Sequence, residues 1–298
     1  MHPVVALTRL GGVGDLETLL RVTTRRRLRT ALDRGEVVKA GHGSYALPGA
    51  EAGLKAAARL SGVASHGTAA TIHRWEVLHQ SERPAVIVPR NRKVKEHRRI
   101  GVDLRWRDLD AHEHDGRVTS PHRTVIDCAR DLPFPEALAI ADSALRHRDV
   151  DRHELERLAL LLPSTGRNEA IKVVTNASPL AANPFESMLR AIALDVPGLD
   201  LQPQVWIEER GFRGRPDLVD RRRRIVVEAE SFEFHGKRKA LKRDCERYNA
   251  LVIRGWIVVR FAWEHVMFDP DYVRDCLVML VEGPDRRAAL PGTLLWTA

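Results

Sequence analysis

The sequence predicts a multidomain protein of mixed α+β and α/β class, and three observations carry that expectation. The chain has 298 residues, enough for two domains or more. Its first fifty residues alternate helix and hairpin signals. From residue 184 onward the pattern runs helix, three strands, helix, strand, helix, an α/β order. The expected divisions are 1–50, 51–178 and 179–298, with turn-rich breaks at 163–166 and 176–183.

Hydrophobic residues make up 44% of the chain and charged residues 30%, which suits a packed globular protein. The formal net charge of +8 favours a polyanionic partner without requiring one. The cysteines, Cys128, Cys245 and Cys276, are odd in number and lack C-x-x-C spacing. That pattern predicts reduced thiols rather than a disulfide framework or a zinc knuckle. There is no apolar run of membrane-spanning length and no leader-like start, so a cytoplasmic protein with no membrane association is expected.

In the first division, Asp15 caps a short helix over 15–20 and Thr23 or Thr24 caps a second over 25–33. Leu28, Ala31 and Leu32 lie at helical spacing there, and Gly35 ends the helix. Two strand-like runs, 37–39 and 44–47, flank a turn at 40–43. Helix, turn, helix and hairpin is the order of a winged helix-turn-helix. Arg25, Arg26, Arg27 and Arg29 stand near the start of the second helix, where a recognition helix meets DNA. A solvated basic helix in a protein-binding module is the alternative.

The middle division predicts helices over 56–60 and 67–75, strands over 85–88 and 102–106, and a helix following 119–127. Phe134, Ala137, Leu138, Ala141 and Leu145 mark the apolar face of another. His66, His73, His112, His114 and His122 occur here, but none has the close spacing of a metal site.

The last division holds the densest chemistry. Residues 214–236 read GRPDLVDRRRRIVVEAESFEFHG. A tight turn at Arg222-Arg223 would set Asp217 opposite Glu228 across a hairpin. Side chains alternate along a strand, so Glu228 and Glu230 share one face and Asp217 can join them. Converging carboxylates at the end of an apolar strand are costly unless they are paired or bind a cation. Oxygen ligands suit Mg²⁺ or Mn²⁺. The other reading is a charged hairpin in which Arg221 to Arg224 pair with the acids or stay solvated.

From about residue 183 to 269 the chain resembles the very-short-patch-repair-like branch of the PD-(D/E)XK nuclease superfamily. The resemblance rests on Asn183-Pro-Phe-Glu186, Arg215-Pro-Asp217, Glu228-Ala-Glu230 and Phe234-His235. It continues through Asp244-Cys-Glu-Arg247, Leu251, Gly255-Trp256 and Val259-Arg260-Phe261. It implies a restriction-endonuclease-like α/β/α domain that hydrolyses DNA phosphodiester bonds with Mg²⁺ or Mn²⁺. By that resemblance Asp217 and Glu228 are the principal metal ligands, with Glu186 reaching the metal directly or through water. Glu230 is a third carboxylate, His235 orients water or a phosphate oxygen, and Asp244 and Arg247 support the site or face phosphate. Two departures stand out: Glu230 occupies the motif lysine position, and Ser231 replaces a glycine. Lys237, Lys239 and Lys242 are the nearby lysines that could supply the missing charge.

The first fifty residues resemble the winged-helix region of AbiEi-type antitoxins. The match lies in Gly11-Gly-Val13, Arg26-Arg-Leu-Arg29, Arg34-Gly-Glu-Val-Val38 and Gly43-Ser-Tyr-Ala-Leu-Pro-Gly49. Ser65-His66 and Thr119-Ser-Pro-His-Arg-Thr124 look like the accompanying middle segment. That family implies DNA binding and self-regulating repression in phage defence or a toxin–antitoxin system. A homodimer and a protein partner encoded nearby are further expectations. The functional expectation is a DNA-binding, metal-dependent endonuclease acting in defence or DNA repair. The alternative is a non-catalytic antitoxin-type regulator with a degenerate nuclease fold.

Overall fold

The chain enters through a helix that no sequence signal announced: α1 (Pro3–Arg9), with Pro3 in its first turn and the His2 ring accepting from the Val4 amide at 3.4 Å. The computed structural model describes residues 1–209, 211–230 and 238–282. By contacts the chain divides into two units, 1–132 with 148–172, and 133–147 with the remainder from 173.

The first unit continues with β1 (Val13–Asp15), α2 (Leu16–Leu20), α3 (Arg25–Asp33), β2 (Val38–Gly41) and β3 (Ser44–Ala46). Asp15 caps α2 by accepting from the Thr18 amide at 2.8 Å, and Thr24 caps α3 through the Arg27 amide at 3.3 Å. The strands form a sheet of order β1-β3-β2. Leu7, Leu19, Leu28, Ala31 and Val37 make the small core beside it. Gly41 is required where the hairpin crosses the next helix, because a Cβ there would lie 2.3 Å from the Ala58 carbonyl oxygen.

That helix is α4 (Ala52–Leu60), followed by β4 (Val63–Ala64), α5 (His66–Ile72), β5 (Ala85–Val88), α6 (Glu96–Arg99) and β6 (Asp103–Trp106). The order β4-β5-β6 puts β5 in the centre of its sheet, parallel to β6. All four residues of β5 are buried, which explains why its sequence is apolar throughout rather than alternating. α7 (Pro121–Asp131) and α9 (Arg152–Leu161) complete this unit, and α8 (Phe134–His147) lies between them in sequence. α10 (Arg167–Asn176) spans the division between the units.

α8 was expected in the middle division, yet its contacts are with the second unit. The cause is a buried ion pair. Arg190 Nη2 donates to both Asp142 oxygens at 2.7 and 2.6 Å, and the Ser187 hydroxyl donates to Asp142 Oδ2 at 2.7 Å. Arg190 and Ser187 belong to α11 (Pro184–Leu194). The Ser178 amide donates to the same carboxylate at 2.6 Å, so the expected linker at 176–183 is tied into the unit.

The rest of the second unit is β7 (Gln202–Pro203), β8 (Ile207–Glu209), β9 (Phe212–Gly214), β10 (Leu218–Asp220), β11 (Ile225–Glu230), α12 (Arg238–Ile253), β12 (Ile257–Ala262), α13 (Trp263–Phe268) and α14 (Pro270–Glu282). One sheet has order β12-β11-β10-β7, and β8 with β9 forms a separate hairpin. Leu218, Ile225, Val227 and Phe261 face α11, α13 and α14 through Leu189, Ile192, Val266, Val273 and Leu277. Val219 and Val226 point the other way, onto Leu251 of α12 and Trp256. The sheet therefore carries helices on both faces. A single polar residue at the wrong parity would be buried in one layer or the other.

Breaking the Asp142–Arg190 pair leaves a buried charge without its counter-ion, which costs about 3–5 kcal/mol. Asp142→Ala should lower the unfolding free energy measured by urea titration by that amount, and an Asp142→Ala/Arg190→Met double change should recover much of it. Equal losses in single and double variants would show that the pair does not hold α8 to α11.

A carboxylate cluster on the α12 side of β11

The register of the β10–β11 hairpin sets the cluster. Leu218 pairs with Val227 and Asp220 with Ile225, so continuing one step places Asp217 opposite Glu228 as expected. The loop is wider than a two-residue turn. It spans all four arginines, with Arg224 at φ 54° and Asp220 Oδ1 accepting from the Arg223 amide at 2.8 Å. Glu228 and Glu230 have the parity of Val226, so they lie on the α12 side.

Each acid is held differently. Asp217 Oδ2 accepts from the Ala229 amide at 2.9 Å, and its Oδ1 accepts from Gln204 Nε2 at 3.2 Å. The same Gln204 nitrogen donates to Glu186 Oε2 at 3.0 Å, joining α11 to the hairpin. Glu186 also receives the Ala182 amide at 2.9 Å and Asn183 Nδ2 at 3.0 Å, so it doubles as part of the cap of α11. Glu228 is 4% exposed. Its Oε2 takes Arg247 Nη2 at 3.2 Å, while its buried Oε1 has no hydrogen-bond partner among the described residues. Glu230 Oε1 accepts from the Tyr248 hydroxyl at 2.7 Å and from Arg260 Nε at 2.9 Å.

The electrostatics follow from these contacts. Burial, then the neighbouring Asp217 charge, pushes Glu228 up to about 7. Burial also raises Asp217 and Glu186 above the usual carboxylate range. Burial acts on Glu230 too, but Tyr248 and Arg260 outweigh it and hold Glu230 below its ordinary value. Three acids are thus reluctant to ionise and one is fully neutralised. Glu230, which the resemblance would set in place of a lysine, is engaged by Tyr248 and Arg260. The cation beside Glu228 is instead Arg247, which also donates to the Tyr248 hydroxyl at 2.8 Å.

Asp244 is half exposed and 3.9 Å from Arg247, at the margin of the cluster. Lys242 pairs with Glu246 at 3.6 Å on the outer face of α12. His235, Ser231 and Lys237 lie outside the described residues, as does the side chain of Lys239. Three of the four arginines of the run are engaged within the chain, although Arg221 and Arg222 lie exposed. Arg221 donates to the Trp206 carbonyl, Arg223 to the Gly198 carbonyl and Arg224 to Glu209 and the Arg254 carbonyl. Gln204, Tyr248 and Arg260 are the site residues that sequence reasoning passed over. Arg260 was within reach of it, because parallel pairing sets it beside Glu228.

The donor set fits a divalent cation in its chemistry. It offers oxygen ligands, one of them buried and unpartnered, whose ionisation is suppressed for want of a counter-charge. It is not drawn up at ligand spacing. Among the described residues, the trio whose ligand atoms all lie within 4.8 Å of one another is His66, Asp127 and Asp131, in the first unit. That trio does not fit a cation. Asp127 is bound by Arg107 at 2.7 Å and Arg123 at 2.8 Å, and Asp131 by His66 at 2.8 Å and Arg107 at 2.8 Å. Three cationic or donor side chains already cover those oxygens, and Asp131 is held down to about 2. It is an ion-pair network that joins Ser65-His66 to the helix after Thr119-Ser120. Arg25, Arg26, Arg27 and Arg29 all lie exposed on α3.

A carboxyl that ionises near 4.5 ordinarily and near 7 in the folded protein makes the folded state hold an extra proton between those values. Stability from Glu228 is therefore present at low pH and is lost as pH rises through about 5 to 7.5. Glu228→Gln should flatten this decline and raise the midpoint at pH 8 by about 1–2 kcal/mol, part of the gain being offset by the lost Arg247 contact. Urea titrations at a series of pH values measure it, and parallel pH profiles for both proteins would contradict it.

No family model matches the chain. Two curated sequences, the uncharacterized proteins MT2308 and Rv2248 of Mycobacterium tuberculosis, are each 29% identical to it over 262 residues. The alignment covers 83% of this chain and 93% of each relative. Among solved structures, the crystal structure of the RV2827C protein from Mycobacterium tuberculosis aligns with 68% of this chain and 83% of its own. The identity there is 14% and the TM-score 0.33.

Proposed function

We propose that this protein binds DNA and hydrolyses its phosphodiester bonds at the cluster of Glu186, Asp217 and Glu228. The observation that carries this reading is the unpartnered, buried Oε1 of Glu228 beside Asp217, with Gln204 bridging Asp217 to Glu186. Asp217, Glu228 and Glu186 would hold Mg²⁺ or Mn²⁺. When bound, the cation supplies positive charge to the phosphate and acidifies a water. The chain's own residues do the remaining work. Glu228 must give up the proton it keeps to about pH 7 before it can hold the cation, so binding would release a proton and strengthen as pH rises. Arg247 provides the fixed cation that a motif lysine would provide, and Tyr248, Glu230 and Arg260 lock its surroundings. His235 and Asp244 complete the proposed site as water- or phosphate-facing groups.

The first fifty residues are proposed as a winged-helix reader. The order α1-β1-α2-α3-β2-β3 supports it, as does the row of exposed arginines on α3. A second reading, a non-catalytic antitoxin-type regulator acting as a homodimer or with a partner encoded nearby, draws on a specific observation. Arg247 already sits on Glu228, and the acids are not drawn up at ligand spacing.

Plasmid and single-stranded DNA incubated with Mg²⁺, Mn²⁺ or EDTA decide between the two. The enzyme reading expects cleavage that EDTA abolishes and that Asp217→Ala and Glu228→Ala each reduce by about a hundredfold or more. Cleavage that survives both substitutions, or none in any metal, favours the regulator. For the reader, affinity for the protein's own promoter should fall across a salt series when Arg25, Arg26 and Arg27 become alanine, with a shallower salt slope. An unchanged slope would remove α3 from the interface.

A further inference from the structure

Neither α3 nor the carboxylate cluster accounts for one strongly basic stretch of the chain. Residues 89–100 read PRNRKVKEHRRI, with Arg90, Arg92, Lys93, Lys95, Arg98 and Arg99 set against a single acid, Glu96. The segment connects β5 to β6 in the first unit and includes the one-turn α6. All six cations are exposed.

The segment is held in place from beneath. Val94, its buried residue, packs with Val88 and Val102 in the core. The Trp106 indole donates to the Arg92 carbonyl at 3.0 Å, and Arg99 Nε donates to the Val94 carbonyl at 2.9 Å. Arg92 reaches the Ser61 carbonyl at 2.9 Å. These bonds fix the backbone while leaving the charge outward. Arg99 lies 5.1 Å over the Trp106 ring, and that indole is 36% exposed.

The charge is not neutralised internally. Arg90 faces Asp108 at 3.8 Å with both side chains mostly in water, a weak contact. Lys93, Lys95 and Arg98 make no ion pair among the described residues. The same unit covers the partly buried Arg105, Arg107 and Arg123 with acids, whereas this row, like the arginines of α3, is left in water. Like charges crowded on a fixed loop repel, and a polyanion relieves that repulsion by displacing counter-ions. An exposed indole beside guanidinium groups adds a stacking surface.

We infer that the β5–β6 segment is a second, sequence-independent docking surface for the phosphate backbone of nucleic acid. An anionic lipid surface presents the same charge but suits this segment less well, because α6 is a single turn without a buried or apolar face to insert. The segment shares no residue with α3 or with the carboxylates, so it does not depend on either assignment.

The test uses the full chain in EDTA, with a fluorescent duplex of arbitrary sequence followed by anisotropy across a salt series. Lys93→Ala/Lys95→Ala/Arg98→Ala should weaken binding about tenfold or more near 0.1 M salt and make the log–log salt slope shallower by about 2–3. Its thermal unfolding should match wild type, since none of the three side chains supports the fold. Wild-type affinity and slope in the variant overturn the inference, as does a wild-type protein that fails to bind the duplex. A loss confined to phosphatidylserine vesicles, with duplex binding intact, overturns it in favour of a membrane.

Discussion

A carboxylate removed from water needs a counter-charge, and much of this structure is arranged around that requirement. Asp142 answers it with Arg190, and by doing so draws α8 across the sequence into the second unit. Asp127 and Asp131 answer it with Arg107, Arg123 and His66, and thereby bind the strand end after β6 to α7 and α5. Asp220 answers it with backbone amides, which shape the β10–β11 loop. At Glu228 the answer is incomplete. One oxygen has Arg247 and the other has nothing among the described residues, so the group keeps its proton to about pH 7. The contrast within one protein is more informative than the cluster alone, because it shows that arginine was available wherever a structural partner was needed.

The period-two logic of strands made this site legible in the sequence. The Asp217–Glu228 pairing and the shared face of Glu228 and Glu230 follow from alternation and from a loop centred on Arg222-Arg223, and both hold. A wider loop preserves the same register, which is why the error in turn length did no harm. Long amphipathic helices such as α3, α8 and α12 were equally readable. The short or unheralded ones, α1, α6, α13 and the α9–α10 pair, were not. A cap was nevertheless present at α9, where Asp151 accepts from the Glu154 amide at 3.0 Å.

Partners across the fold were the illegible part. Gln204 joins Glu186 to Asp217 from a residue with φ 55°, and no local pattern marks a glutamine for that task. The arginine run at 221–224 reads as pairing with the hairpin acids or staying solvated, yet three of its four side chains hold carbonyl oxygens or Glu209. Conversely, the cations at 90–99 raised no motif, yet all six face water. Charge density in a sequence says how much potential there is, whereas only the fold says which charges are already answered.

The departure at Glu230 can be reasoned through in the same terms. A lysine there would place a cation beside Glu228 from the same strand. Here the strand supplies an acid, and the cations come from neighbours instead: Arg247 on α12 and Arg260 on β12, with Tyr248 between them. Arg260 lies 4.1 Å over the Tyr248 ring and Arg247 4.8 Å over it, so the two guanidinium groups bracket one aromatic. Charge at the site is thereby redistributed without being lost. The cost is that Arg247 occupies one oxygen of Glu228, and a divalent cation there must share that carboxylate with it. A guanidinium on a stem anchored at Tyr248 can share, because it binds Oε2 and leaves the buried Oε1 without a partner among the described residues.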